Sequence, residues 1–219
     1  MAEVNEGASG RRRRETKETR REQLMDATLT VLARRGLAKA TLADVADEAG
    51  LSRGIVNFHF ESKERLLLAT LERLSSEYDA TWRQGLAAAG PTAAERLRAL
   101  MMADLSPGVC EPQKLAAWFA FFAESGARVD YRDLCWARDD ALLDAFQTLC
   151  GALETEARYG YDARRTAMAI YAMQEGFWLR LMLGNTDLTR EDALAIALGM
   201  LGTLFPKHFT AEGTVRAAA

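Results

Sequence analysis

The chain has 219 residues, 27% of them charged and 49% in the apolar and aromatic set, with a net charge of −3. That length allows one large domain, or a small domain followed by a larger one. No apolar run reaches the roughly 18 residues of a membrane span, and no apolar core follows the arginines near the start. Neither a membrane helix nor a signal peptide is predicted, and we expect a cytoplasmic protein. The three cysteines form no C-x-x-C pair, which argues against a zinc site.

Positive charge is concentrated near the start of the chain. Residues 11–35 hold nine basic side chains against four acids, and the basic ones are Arg11 to Arg14, Lys17, Arg20, Arg21, Arg34 and Arg35. A basic leading segment on an acidic protein indicates contact with a polyanion at one end, although a solvated leader would carry the same charge. Residues 1–15 have too little apolar content to pack, so we predict a disordered basic leader there.

Four helices are predicted between the leader and Arg83. Apolar side chains recur at helical spacing along this region, and capping or breaking residues mark the limits of the helices. These limits are Gly36 at the end of the first helix, Thr41 at the start of the second, Gly50 at its end, Ser52 at the start of the third and Ser62 at the start of the fourth.

The remainder of the chain is also helical by pattern. We predict helices near residues 92–105, 113–126, 131–158, 162–184 and 189–206, and all four prolines fall at helix ends or breaks. No alternating apolar run of strand length stands out. The sequence therefore predicts an all-α fold with a small first domain at 16–63 and a larger helical domain at 64–219.

The second and third helices fit a helix-turn-helix. A helix that reads DNA enters a major groove about 12 Å wide while a second helix holds it at a fixed angle. That geometry requires a small residue where the helices cross and a glycine in the turn, which Ala46 and Gly50 supply. Leu51 and Val56 anchor the third helix from behind. The residues left facing outwards are Ser52, Arg53, Gly54, Asn57 and His59.

The spaced pattern of this region resembles the amino-terminal domain of TetR-type transcriptional repressors. The matching features are G-x-x-x-x-T-L-x-x-V-A-x-x-A-G-L-S-R-G at 36–54 and H-F-x-S-K-E at 59–64. The resemblance implies a DNA-binding domain, with a contact from Arg53 and a phosphate donor at His59. It departs from the family at Asn57, where an aromatic residue, most often Tyr, is usual, so an amide is available there to read adenine instead.

Two helix starts are predicted to bind DNA phosphates. Lys63 follows the Ser62 cap in the first turn of the fourth helix, where free backbone amides and a lysine charge suit a phosphate. Thr41 offers a hydroxyl and a backbone N–H at the start of the second helix. An ordinary surface position would also account for Lys63, and the family pattern favours the DNA contact. The arginines at 11–14 are expected to add non-specific attraction.

Aromatic residues gather in the predicted helices of the second domain. Trp118, Phe121 and Phe122 lie at i, i+3 and i+4 and therefore share a face. We predict an inducer pocket lined by Trp118, Phe121, Phe122 and Trp178, although core packing alone would produce the same stripe.

Two segments of the second domain resemble BetI-type repressors of the same family. A-A-W-F-A-F-F-A-E-S at 116–125 and E-G-F-W-L-R-L-M-L at 175–183 are similar to their W-x-x-F-W and D-G-x-W-L-R segments. The resemblance implies a choline-derived inducer, and aromatic walls bind quaternary ammonium ions by cation–π contacts worth roughly 0.5–2 kcal/mol each. Glu124 or Glu175 would supply the counter-charge. Because Phe122 replaces the second Trp, a flat or long apolar amphiphile is a rival ligand.

Together these features predict a homodimeric repressor that leaves a palindromic double-stranded DNA operator when a small-molecule inducer binds. No cofactor is predicted. The helices near 162–184 and 189–206 should form the subunit interface, because A-L-A-I-A-L-G-M-L-G-T-L-F at 193–205 is too apolar for one chain to bury. Two alternatives are a helical small-molecule-binding enzyme and a ligand-independent DNA architectural protein. No catalytic motif of known spacing occurs, so no enzymatic activity is predicted.

Overall fold

The structure is a computed structural model that describes residues 4–184 and 188–217, with the side chains of residues 4–15, 137 and 138 left out. Within that part of the chain there are nine helices and no β-strand, which confirms the predicted all-α fold. The helices are α1 (Val4–Lys39), α2 (Leu42–Glu48), α3 (Arg53–Phe60), α4 (Lys63–Ala88), α5 (Ala93–Asp104), α6 (Pro112–Ser125), α7 (Val129–Ala157), α8 (Ala163–Leu183) and α9 (Arg190–Leu204). Over the same residues, no helix is long and apolar enough to cross a membrane.

The chain divides into two compact units inside α4, Met1–Arg73 and Leu74–Ala219. The boundary expected from the sequence, between residues 63 and 64, lies earlier in the chain. The first turns of α4 belong to the core of the first unit, because Leu66, Leu67 and Leu71 are buried there. Arg73 also donates a 2.7 Å hydrogen bond to the carboxylate of Asp26 on α1.

Capping residues and a glycine, all recognisable in the local sequence, define the helix-turn-helix of the first unit. Thr41 and Asp44 form a capping box at the start of α2, in which the Thr41 N–H donates to the Asp44 carboxylate at 3.0 Å. Gly50 follows α2 with a φ of 65°, the left-handed conformation that glycine adopts at low cost. The Leu51 N–H then donates to the carbonyl oxygen of Ala46 at 2.9 Å, which closes the turn before α3.

Helix α1 differs from its predicted limits at both ends. It is assigned through to Lys39, but Gly36 has a φ of 71° and leaves the helical conformation, in agreement with its predicted role as a helix end. At the other end α1 begins at Val4, so its backbone continues through most of the segment for which the sequence predicts disorder. Arg and Glu, which fill residues 11–15, are good helix formers, and this accounts for the second half of the segment. The side chains of the arginines at 11–14 lie outside the described set.

Two side chains of α1 hold the helix-turn-helix in place. Arg21 donates to the carbonyl oxygen of His59 at 2.9 Å, and its guanidinium lies 4.4 Å from the ring centroid of Phe60. Gln23 donates to the carbonyl oxygen of Ala49, at the end of α2, at 2.8 Å. Both contacts reach the ends of the short helices, so α1 fixes α2 and α3 within the first unit.

The second unit is a helical bundle in which α7 packs against α5, α6 and α8. Helices α5 to α9 begin and end within two residues of their predicted limits. Large side chains from several helices are fully buried, among them Leu97, Leu100, Leu115, Phe121, Tyr131 and Phe146. Burial of each such apolar side chain stabilises the fold by roughly 1.5–3 kcal/mol, so this bundle has a core of its own.

The described residues after α9 fold back along that helix. Phe209 and Val215 form an isolated antiparallel bridge, and the Thr210 N–H donates to the carbonyl oxygen of Thr214 at 2.8 Å. The turn approaches α9 closely at Gly202, where an added Cβ would stand 2.0 Å from the carbonyl oxygen of Thr210. Only glycine allows that approach.

Candidate DNA-binding face and aromatic cluster

Helix α3 exposes the polar face that the sequence predicts. Ser52 caps the helix, with its hydroxyl accepting from the Ile55 N–H at 3.4 Å. Arg53, Gly54 and Asn57 are exposed, while Val56 on the opposite side is fully buried. The buried side fixes the rotation of the helix, so these three residues face outwards together from the first unit.

His59 is half-buried at the end of α3. Its Nδ1 atom is buried and forms no hydrogen bond with any residue that the structure describes. Burial lowers the pKa of His59, and the charges of Arg21, Lys17 and Arg20 lower it further. The lowered pKa favours the neutral ring, which has one N–H to donate, over the positively charged ring.

The two predicted phosphate-binding positions already form hydrogen bonds inside the first unit. The Lys63 ammonium donates to the carbonyl oxygens of Leu37 and Ala38 at 2.9 and 3.4 Å. The hydroxyl of Thr41 donates to the carboxylate of Asp44 at 2.8 Å. Lys63 thus caps the end of α1. An ammonium group has three N–H donors, so one is left for another acceptor.

The sequence reasoning did not assign a role to Phe58, which is 73% exposed on α3. Lys17 and Arg20 of α1 line a surface pocket with Phe58 and His59, and the Lys17 ammonium lies 6.0 Å from the Phe58 ring centroid. The sequence signal was available, because Phe58 directly follows Asn57 and lies outside the buried stripe that contains Val56 and Phe60. Basic and aromatic side chains therefore extend the polar face of α3 towards α1.

Three aromatic side chains meet in the core of the second unit, and we call Tyr78, Trp118 and Trp178 the aromatic cluster. Tyr78 lies edge-on to Trp178 with ring centroids 5.3 Å apart, and edge-on to Trp118 at 6.3 Å. All three are at most 4% exposed. They come from α4, α6 and α8, so the cluster joins three helices of this unit.

Asp104 lies beside the aromatic cluster and is only 3% exposed. The Tyr78 hydroxyl donates to its carboxylate, and the Trp178 indole N–H donates to its carbonyl oxygen at 3.1 Å. Its charge reaches further, because burial and then the Asp104 carboxylate raise the pKa of Cys110 to about 12. A buried carboxylate next to aromatic rings is an arrangement that suits a cation.

Sequence reasoning missed Asp104 and proposed Glu124 or Glu175 as the counter-charge. The available signal was a lone acid in an apolar run, A-L-M-M-A-D-L at 99–105. Its partner Trp178 is 74 positions away along the chain, so no local pattern connects the two residues.

The other two residues predicted to line the inducer pocket, Phe122 and Phe121, lie in different places. Phe122 stacks on Trp118 with ring centroids 5.7 Å apart and is half-buried, so it extends the aromatic cluster. Phe121 is fully buried and packs edge-on against Tyr131 of α7 at 5.2 Å. Phe121 thus contributes to the contact between α6 and α7.

The space beside the aromatic cluster is small. A pocket of about 20 Å³ is lined by Tyr78 and Trp118 together with Leu74, Glu77, Thr81, Gly108, Val109 and Lys114. That volume holds about one water molecule. A tetraalkylammonium ion is much larger, so a ligand at the cluster requires neighbouring side chains or helices to move.

Helices α8 and α9 carry exposed apolar side chains. They are Met168, Leu179 and Leu183 on α8 and Ile196 and Met200 on α9, each between 41% and 54% exposed. Exposed apolar groups gathered on two adjacent helices are typical of an interaction surface.

A helix-turn-helix unit with a basic, exposed face, joined to an all-helical unit, defines the class of DNA-binding transcriptional regulators. Residues 24–70 match the model for bacterial regulatory proteins of the tetR family, and residues 93–206 match the model for the carboxy-terminal part of BetI-type transcriptional repressors. The HTH-type regulators BetI of Paraburkholderia phymatum and Paraburkholderia phytofirmans are each 35% identical over 83% of this chain and 90% and 91% of their own. This chain belongs to the TetR family of transcriptional regulators, with a second unit of BetI type.

Solved structures share the fold. A transcriptional regulator from Pseudomonas aeruginosa PAO1 superposes with a TM-score of 0.74 at 25% identity, covering 91% of this chain and 95% of its own. A regulator from Saccharomonospora viridis, solved in complex with choline, superposes with a TM-score of 0.74 at 22% identity, covering 84% of this chain and 96% of its own. These relatives are regulators, and the present chain is a transcriptional regulator and not an enzyme.

Proposed function

We propose that this regulator is a homodimer that represses transcription in the cytoplasm and leaves a palindromic operator when a small quaternary ammonium ion binds beside Asp104. The observation that carries this proposal is buried Asp104, whose carboxylate accepts from the Tyr78 hydroxyl and whose backbone carbonyl oxygen accepts from the Trp178 indole. Aromatic faces attract alkylammonium groups, and a carboxylate beside them adds electrostatic attraction for a cation. The S. viridis regulator, whose fold this chain shares, was solved in complex with choline.

The inducer acts on DNA binding through α4. The pocket beside the aromatic cluster is far too small for a tetraalkylammonium ion, so binding has to displace cluster residues. Tyr78 is one of them, and it lies on the same helix that starts at Lys63 in the DNA-binding unit. A ligand that favours one position of α4 over another changes the population of DNA-competent dimers by its differential affinity.

On the DNA side, α3 is the reading helix. Arg53 and Asn57 reach base edges, with Asn57 suited to adenine, while Lys17, Arg20 and the free N–H of Lys63 contact phosphates. Phe58 suits the methyl group of thymine, because an exposed apolar side chain in the major groove finds that one apolar feature. Two subunits present their reading helices about 34 Å apart, which requires a palindromic operator.

The test is to titrate choline into the protein and follow its tryptophan fluorescence. A parallel titration measures the release of an operator that is first selected from random DNA. Trp118 and Trp178 report on the cluster, so choline should change the emission and release DNA over the same concentration range. Asp104→Asn keeps an acceptor for the Tyr78 hydroxyl but removes the charge, and it should weaken choline binding at least about tenfold.

The matched control is Asp144→Asn, which removes an exposed acid of the same unit and should leave choline binding unchanged. Absence of any response to quaternary ammonium ions would reject the proposed inducer class. Operator release by long apolar amphiphiles alone would assign the site to that class instead.

A further inference from the structure

We infer that operator binding by this regulator is coupled to the uptake of a proton by His59, so that the operator is bound more tightly as the pH falls. The inference rests on the proposed function, because it requires α3 and the side chains around it to face DNA. It adds a response to pH that lies in the first unit and does not involve the aromatic cluster.

His59 lies near the end of α3, among side chains of α1 and α4. Its half-exposed ring meets Phe58 edge-on, with ring centroids 5.2 Å apart, and it lines two surface pockets. The other residues that line the first of these pockets are Thr16, Lys17, Arg20 and Phe58. The charged residues that line the second are Arg21, Glu61, Arg65 and Glu72.

In the free protein, these surroundings disfavour a positive charge on the ring of His59. Its Nδ1 is buried and has no hydrogen-bond partner among the described residues, so a proton there would belong to a buried donor without an acceptor. Burial, followed by the charges of Arg21, Lys17 and Arg20, lowers the pKa of His59, while Glu18 acts in the opposite direction. The pKa is lowered even though two glutamates line the second pocket.

Bound DNA reverses this balance of charge. A phosphate on the first pocket places a negative charge beside the ring, and it pairs with Lys17 and Arg20, two of the cations that disfavour the proton. A protonated imidazole also donates a charge-assisted hydrogen bond to a phosphate oxygen, which is roughly twice as strong as a neutral one. The ring of His59 therefore gains a proton when the operator binds.

Proton uptake on binding sets the direction of the pH dependence. The affinity rises as the pH falls through the interval between the pKa of the free ring, which lies below 6.5, and the higher pKa of the ring in the complex. Complete uptake at both rings of a dimer would change the affinity by about a hundredfold per pH unit. Because uptake is partial over most of the interval, we expect roughly ten- to fiftyfold tighter binding at about pH 6 than at about pH 8.

The chain offers a matched control, because it has a second histidine far from the proposed DNA-binding face in sequence. His208 belongs to the second unit, where its ring forms hydrogen bonds with Tyr159 at 2.8 Å and Glu156 at 3.0 Å. The thiols of Cys110 and Cys150 do not titrate near neutral pH, since burial raises the pKa of each to about 12. A pH dependence near neutrality can therefore be traced to one histidine or the other by substitution.

The experiment measures the affinity of the full chain for an operator selected from random DNA, at about pH 6, 7 and 8, at one salt concentration and without added ligand. His59→Gln keeps an amide donor but cannot take up a proton, so its affinity should change less than about threefold over this range. His208→Gln should keep the dependence of the wild-type protein. In NMR titrations of the wild-type protein, the midpoint of the His59 ring should move to higher pH when the operator is bound.

The outcomes distinguish this inference from the proposed function. Equal affinity of the wild-type protein at all three pH values, or a His59 midpoint that the operator does not move, would overturn the inference and leave the repressor function standing. A pH dependence that persists in His59→Gln and disappears in His208→Gln would also overturn it. If random DNA yields no operator, the proposed function is wrong, and the inference is overturned with it.

Discussion

The ammonium group of Lys63 lies 2.9 Å from the carbonyl oxygen of Leu37, so this residue supports the end of α1 in addition to any contact with DNA. Replacing Lys63 with Ala should therefore have two effects. Loss of a cation at a helix carboxyl end should lower the free energy of unfolding by about 1 kcal/mol. Loss of one phosphate contact should weaken binding to all DNA sequences and reduce the salt dependence by about one unit of slope.

Arg53→Ala is the matched comparison for Lys63→Ala. Arg53 is exposed on α3, so its removal should weaken operator binding while the melting temperature stays unchanged. Chemical denaturation and DNA titrations over a range of salt concentrations measure both effects. Unchanged DNA affinity in both variants would remove α3 and the start of α4 from the DNA-binding face.

At the residue scale, the sequence predicts features that depend on near neighbours. The cap at Thr41, the positive φ at Gly50 and the cap at Ser52 involve residues at most a few positions apart, so local spacing is enough to find them. Lys63 bonded to Leu37 and Asp104 bonded to Trp178 involve separations of 26 and 74 residues. These pairs exist only after the helices have packed, which is why the central carboxylate was missed.

At the scale of elements, helical periodicity and breaking residues locate the helices well, but they do not locate the division between the units. Helix α4 carries one uninterrupted stripe of apolar side chains, in which Leu66, Leu71, Leu74 and Tyr78 are all buried. Nothing within the stripe indicates that the core it packs against changes after Arg73. Periodicity reports that a face is buried and carries no information about its partner.

A glycine of α9 offers a test of how the following turn is held. Gly202→Ala would place a Cβ 2.0 Å from the carbonyl oxygen of Thr210, so the turn has to move away from the helix. Strain of this kind costs about 1–3 kcal/mol, and the melting temperature should fall accordingly. Gly151→Ala in α7 is the control, because its added Cβ would meet Ala163 at an ordinary 3.7 Å and alanine favours the helix. Equal melting temperatures for the two variants would show that the turn is not fixed against α9.

At the scale of the whole molecule, the features of both units favour a dimer. We propose that the first unit reads DNA with one helix, α3. A single reading helix contacts too few base pairs to specify a site, so specificity requires a second copy at a fixed spacing. The second unit supplies the remaining requirement, because its exposed apolar side chains on α8 and α9 are a surface on which two copies can associate. Symmetric association through that surface would let the two α3 helices of a dimer bind the two half-sites of a palindromic operator.

The subunit interface is therefore predicted to lie on α8 and α9, and its disruption should separate the subunits. Sedimentation of the wild-type protein at micromolar concentration should give twice the chain mass of 24.2 kDa. Ile196→Lys, at a residue that is 52% exposed on α9, would bury an unpaired charge in the interface and should yield monomers that bind the operator weakly. Val129→Lys is the matched control, because Val129 is equally exposed, at 57%, but lies on α7, and that variant should remain a dimer. A wild-type mass of one chain, or dimers of Ile196→Lys as stable as the wild type, would place the interface elsewhere.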